Sequence, residues 1–202
     1  MALRKRKYAV VFDLEFTAWE GSMESRWTRP QEYPEVVQIG AVKLDAESLK
    51  QAGEFEILVK PRVNPVLSDY LIALTGITNE ALAASGVDFI TAYRAFLDFV
   101  GDGKLFAFGR DDLVLADNLK LYAWSGFPVP PYANANPWFK DNGIDLKGKH
   151  ACDTGELAGV PFVGRKHTAL ADARSVAAGI AALIAKGAPN LFLEPKTQSP
   201  AA

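Results

Sequence analysis

Residues Tyr8–Thr17 read YAVVFDLEFT. An apolar run from Tyr8 to Phe12 breaks at Asp13, resumes for Leu14 and breaks again at Glu15. Side chains alternate along a strand, so Asp13 and Glu15 share one face at the end of a core strand. Two carboxylates that close repel each other unless something positive lies between them. A divalent cation is the simplest such partner, and magnesium takes few carboxylates and completes its shell with water and phosphate oxygens. The bland alternative is a pair of solvated acids where a strand frays.

The segments that follow supply a sheet around this strand. VVQIGAVKL (Val36–Leu44) is β-branched and apolar, and EFEILVK (Glu54–Lys60) alternates as a half-buried strand does. Together with the first strand they predict an antiparallel start. Thr78 reads as an N-cap with Asn79 and Glu80 in the first turn. DFITAYRAFLDFV puts Phe89, Tyr93, Phe96 and Val100 on one helical stripe. KLFAFG is a short strand ending at Gly109, and DDLVLADNLKLYAW follows it as a helix with an acidic first turn. TALADARSVAAGIAALIAK is a long Ala-rich helix. Strands first, then strand–helix alternation, predict an α/β fold with a mixed sheet of about five strands and helices packed on it. The polar stretch from Gly21 to Glu35 reads as a loop of a length that is often functional.

Length and composition limit the alternatives. At 202 residues a single domain is expected, here spanning residues 1–190, with a loose Pro- and Ser-containing tail over 191–202. The single cysteine, Cys152, cannot form an internal disulfide, which points to a reducing, cytoplasmic setting. The basic RKRK before YAVVF has the look of a signal peptide, but its apolar run is too short for one. No stretch approaches the ~18 apolar residues that cross a bilayer. A net charge of −2 does not announce a nucleic-acid binder, nor exclude one, since bound cations supply a local positive field.

Further acids stand at the edges of apolar elements. Asp111 and Asp112 occupy the junction between the KLFAFG strand and the next helix. In GRKHTALADA, His167 precedes the long helix and Asp172 lies in its early turns. Residues five apart differ by ~140° around a helix, so the two converge only if His167 sits on the preceding loop with Thr168 near the cap.

The order D-x-E, then Asp in a strand–helix turn, then H-x4-D resembles the DEDDh group of 3′–5′ exonucleases, of RNase H-like fold. The resemblance runs from Tyr8 to Lys186. KPRVNPVLSDYLIALTGITNEAL, with its LTGIT core, is similar to a segment of the Eri1-like exoribonucleases and their bacterial relatives. The resemblance implies metal binding by Asp13, Glu15, Asp112 and Asp172, with Asp112 preferred over Asp111 by its spacing from Phe108. It implies two Mg2+ or Mn2+ ions, His167 as general base, and Glu15 in the catalytic set. It places Leu74 and Thr75 against a terminal nucleotide and Phe16 and Thr17 against sugar and backbone. The partner it implies is single-stranded nucleic acid, RNA favoured over short DNA, cut to nucleoside 5′-monophosphates; it implies no membrane and names no protein partner. Arg165 and Lys166 are further candidates for phosphate contact, and Trp19 and Trp27 for stacking on substrate. His150 reads as a surface residue.

Three other readings compete. A haloacid-dehalogenase-type phosphatase uses a similar opening motif but needs a second Asp where this chain has Glu15, and gives H-x4-D no role. A regulatory interaction module would not need the complete set of acids and histidine. A proofreading-like DNA exonuclease would use the same chemistry on the other polymer.

Overall fold

The computed structural model describes residues 7–124, 126 and 128–193. The basic residues before Lys7 lie outside them. The chain runs through β1 (Tyr8–Phe16), a short α1 (Ser22–Ser25), β2 (Val36–Asp45), β3 (Gln51–Leu58), α2 (Asp69–Thr75), α3 (Asn79–Ser85) and α4 (Phe89–Val100). It continues through β4 (Lys104–Ala107), α5 (Asp111–Leu121), β5 (Tyr132–Asn134), α6 (Asn136–Asp141), a 3-10 turn (Ala151–Asp153), α7 (Thr154–Leu157) and α8 (Ala169–Ala185).

The described residues form a five-stranded sheet in the order β3-β2-β1-β4-β5. β1, β2 and β3 are antiparallel neighbours, while β4 lies parallel to β1 and β5 parallel to β4. β5 was not expected from the sequence: it is three residues long, too short to show a period. β1 does not end at its acids. It runs on to Phe16, with a bulge between Glu15 and Phe16. What ends is its neighbour: β4 pairs only with Ala9, Val10 and Val11.

Alternation sorts β1 between two cores. Val10, Phe12 and Leu14 pack with the apolar stripe of α4 (Phe89, Tyr93, Phe96, Val100) and with Leu115 and Leu119 of α5. Ala9 and Val11 face α8 with Val42, Phe106, Val176 and Ile180. Phe192 joins this second core edge-on to Phe106, ring centroids 4.9 Å apart. The tail boundary expected at residue 191 is therefore too early, because Leu191, Phe192 and Leu193 pack with the domain; residues 194–202 lie outside the described residues. The caps are local: Ser68, Thr78 and Asp88 accept the first-turn N–H groups of α2, α3 and α4.

α8 approaches the sheet at Gly40, the residue paired with Asp13. A Cβ at Gly40 would lie 2.1 Å from the Leu170 amide nitrogen and 2.3 Å from the Ala169 carbonyl carbon. The neighbouring Gln38, paired with Glu15, accepts the Ala169 N–H through Oε1 at 2.9 Å and donates through Nε2 to Glu56 at 2.9 Å. A strand side chain thus caps α8, while the Thr168 hydroxyl donates to the Arg165 carbonyl. Gly40→Ala should destabilise the fold by about 1–3 kcal/mol or more, since the obstructing atoms are backbone. Gly53→Ala, whose Cβ would meet only the Phe99 ring at 3.4 Å, serves as control. Urea midpoints of the two variants that coincide would refute the close approach.

Candidate active site

Because Ala9 and Val11 face α8, so do Asp13 and Glu15, two and four residues on. The helix set down on Gly40 brings Asp172, in its first turn, over them. Carboxylate oxygens of Asp13, Glu15 and Asp172 lie within 4.8 Å of one another, and all three residues are buried.

A fourth acid comes from α5. β4 stops before it can pair with the second half of β1, and the freed Leu14 N–H is bonded by the Asp111 carboxylate. Asp111 is 8% exposed, and its charge acts on both Asp13 and Glu15. The inward acid of the pair is therefore Asp111, where the resemblance preferred Asp112. Asp112 turns outward and holds Arg110 through two hydrogen bonds, 2.8 Å to Nε and 3.0 Å to a terminal nitrogen. The signal was present in the helix period: counting back four from the buried Leu115 reaches Asp111.

The electrostatics are those of charges gathered without a counter-ion. Burial, followed by the like charges of Asp111, Glu15 and Asp172, holds Asp13 well above the usual carboxylate range. Burial and then Asp172 and Asp111 push Glu15 up to about 8. Burial raises Asp111 to about 7 and Asp172 to about 7, the latter against the pull of the His167 N–H, which donates to its Oδ1 at 3.2 Å. Among the described residues no Lys or Arg ion-pairs with any of the four. Buried, convergent, oxygen-only donors of this kind fit hard divalent cations such as magnesium or manganese.

His167 sits on the loop before α8, as expected, in the left-handed region at φ 60°. Burial, and then the nearby His150, lower its pKa, which favours the neutral imidazole. The His150 ring meets it edge-on, centroids 5.6 Å apart. His150 is exposed, but its contact is with the one other histidine, which its position in the sequence did not reveal. Cys152 is buried nearby, and burial followed by Asp172 and Asp153 pushes its thiol up to about 12.

The four expected substrate residues divide. Phe16 is half-buried and packs on Trp27 at 5.4 Å; Leu74 is half-buried at the end of α2. Thr17 and Thr75 turn their hydroxyls inward to backbone partners. The Thr17 hydroxyl donates to the Tyr33 carbonyl and accepts the Glu35 N–H. The Thr75 hydroxyl donates to the Leu71 carbonyl and accepts the Ile77 N–H, closing the turn between α2 and α3. Thr75 still borders a cavity of about 530 Å³ with Gln38, Gly76, Ile77, Arg165 and Thr168.

The basic pair is also occupied. Lys166 binds Asp153 and Glu156, each at 2.9 Å. Arg165 lies over Gly76 and donates to the Ala73 carbonyl at 3.0 Å, tying the histidine loop to the LTGIT turn. Trp27 donates its indole N–H to the Thr17 carbonyl at 2.8 Å, so its polar edge faces inward; Trp19 is half-buried. The Gly21–Glu35 stretch ends in a buried anchor: the Glu35 carboxylate accepts the N–H groups of Arg62, Val63 and Asn64 at 2.6–2.8 Å.

A family model described as RNase_T, Exonuclease, matches residues 10–179. ERI1 exoribonuclease 2 of Homo sapiens is 26% identical over 196 residues, which cover 84% of this chain and 27% of that protein; the chain thus spans about a quarter of this relative. A solved structure of the nuclease domain of 3′hExo, a DEDDh family member, bound to rAMP superposes with a TM-score of 0.75 at 22% identity, over 93% of this chain and 96% of that one. A 3′-exonuclease solved in recognition of a histone mRNA stem-loop gives 0.76 at 21% identity, over 92% and 85%. These likenesses carry the RNase H-like exonuclease fold.

The raised carboxyl pKa values fix a sign for stability. The folded chain holds these protons up to pH about 7–8, whereas the unfolded chain releases them near pH 4. Their contribution is therefore fully present below pH ~4 and is lost as pH rises through the folded values. In EDTA, the thermal midpoint should fall between pH 5 and pH 8, and Mn2+ should restore more of it at pH 8 than at pH 5. Asp13→Asn should stabilise the metal-free protein at pH 8 by about 0.5–2 kcal/mol. A midpoint in EDTA that rises from pH 5 to pH 8 would overturn this account.

Proposed function

The chain belongs to the RNase_T exonuclease family, and from that premise we propose that it is a metal-dependent 3′–5′ exonuclease that trims single-stranded RNA to nucleoside 5′-monophosphates. One observation carries the reading: four buried carboxylates from three elements gather beside His167, with no lysine or arginine ion-paired to them among the described residues.

Asp13, Glu15, Asp111 and Asp172 would hold divalent cations, Mg2+ or Mn2+. Such ions supply Lewis-acid activation of the attacking water and neutralise charge on the leaving 3′-oxygen. The chain's own groups do the rest. Asp13 and Glu15 are fixed by antiparallel pairing with Gly40 and Gln38 of β2, which gives the ligands a precision a loop lacks. His167, held by the bond from its N–H to Asp172, takes the proton from the attacking water at neutral pH. Leu74 would wedge against the terminal base, a contact that tolerates any base. Thr75 acts through the α2–α3 turn it closes and Thr17 through the edge of the sheet. The RNA preference is supported by the exoribonuclease relative; a proofreading-like action on DNA is the outcome of the same experiment that would displace it. A reducing cytoplasmic setting suits the single buried thiol, and among the described residues no helix is long and apolar enough to cross a membrane.

The test is a 5′-labelled single-stranded RNA, the matching DNA, and both with a 3′-phosphate, each incubated with Mg2+. A ladder shortening from the 3′ end, slowed by the 3′-phosphate and absent in EDTA, is expected, with RNA cut at least as fast as DNA. Cleavage of a circular substrate would rule out the exonuclease reading. His167→Ala should lower the rate by roughly 10²–10⁴. Asp111→Asn should abolish turnover while Asp112→Asn leaves most of it; the reverse order would return the ligand role to Asp112.

A further inference from the structure

Beside the oxygen-only cluster stands a second donor set of different chemistry. Cys152 Sγ, a ring nitrogen of His167 and a carboxylate oxygen of Asp172 lie within 4.8 Å of one another. Around a tetrahedral zinc, donors at ~2.0–2.3 Å from the metal stand about 3.5 Å apart, so side-chain adjustments of about 1 Å would bring all three onto one ion and leave a fourth position open. The His150 ring, edge-on to that of His167, stands at the exposed side as a second imidazole.

The carriers of these donors are held in place. Cys152 lies on the 3-10 turn, and its carbonyl accepts the Ser175 hydroxyl of α8 at 2.9 Å. The same Ser175 oxygen accepts the Gly155 N–H at 3.0 Å. Lys166 binds Asp153 at 2.9 Å, fastening the turn that carries Cys152 to the loop that carries His167. The set is thus presented by one rigid unit, which lowers the ordering needed on binding.

The geometry points to an inhibitory site for a soft divalent cation, zinc, at Cys152, His167 and Asp172. Thiolate and imidazole donors select zinc over magnesium, and binding releases the thiol proton to solvent. Zinc there would engage the imidazole needed as base and the Asp172 carboxylate needed by the catalytic cations, so the two occupancies exclude each other. The inhibitory role rests on the proposed nuclease function; the site itself does not.

Cobalt(II) is the probe for the site. Added to the full chain without magnesium, it should give a near-ultraviolet thiolate-to-cobalt absorption band that is absent in Cys152→Ala. With Mg2+ fixed, Cys152→Ala and Cys152→Ser should match the parent's RNA-trimming rate. They should need at least about tenfold more Zn2+ for half-inhibition, the scale on which loss of a metal partner acts. Absence of the cobalt band in the parent chain would overturn the site, and that measurement needs no variant. Equal zinc sensitivity in all three proteins would assign inhibition to the carboxylate cluster and overturn the regulatory role. A cobalt band in a chain without nuclease activity would keep the site and remove the function proposed above.

Discussion

The contact between Gly40 and the first turn of α8 governs the site. A sheet normally keeps a helix at the distance set by two layers of side chains, about 10 Å. Here one strand position has no side chain, and the helix backbone descends onto it. Asp13 is the cross-strand partner of that glycine. The same approach that brings Ala169 and Leu170 against β2 therefore suspends Asp172 over Asp13 and Glu15. Gln38, two residues away on the same face, accepts the buried N–H of Ala169 at the helix start, so the descent leaves that donor satisfied.

The cluster is built against its own electrostatics. Burial and mutual repulsion both disfavour the charged carboxylates, and the surrounding fold must hold them together. Two apolar cores, one on each face of the sheet, do so. The early end of β4 opens the gap in which α5 delivers Asp111. With no compensating lysine or arginine among the described residues, the gathered acids could hold an external cation, a division of labour between stability and function.

Two loops fasten recognition to chemistry. Arg165 binds the end of α2 and Lys166 binds the 3-10 turn and α7, so the segment leading to His167 is tied on both sides. Through Arg165 the LTGIT turn and the histidine loop are one assembly. On the opposite flank the carboxylate of Glu35 gathers three successive N–H groups of the Arg62–Asn64 loop. A buried carboxylate meeting backbone donors is strongly stabilising, and it fixes the loop that leads into α2.

The sequence by itself determined the strand with its D-x-E, the histidine on a loop ahead of the Ala-rich helix, the acid in that helix, and the LTGIT turn. These are legible because they depend on local periodicity and on residue order: alternation puts Asp13 and Glu15 on one face, and a helical turn sets Asp172 relative to Thr168. The tertiary structure alone decided which member of Asp111–Asp112 faces inward, because a junction residue's direction follows from where the helix starts and which core it meets. It decided that Thr17 and Thr75 spend their hydroxyls on backbone partners far from or near in sequence, which residue type cannot reveal. It decided that His150 and Cys152 come against His167, from a segment with no period to read. Above all it decided the role of Gly40, an unremarked residue inside a β-branched strand. A missing side chain has meaning only through what occupies the space it leaves, and that is a helix some 130 residues away in the chain.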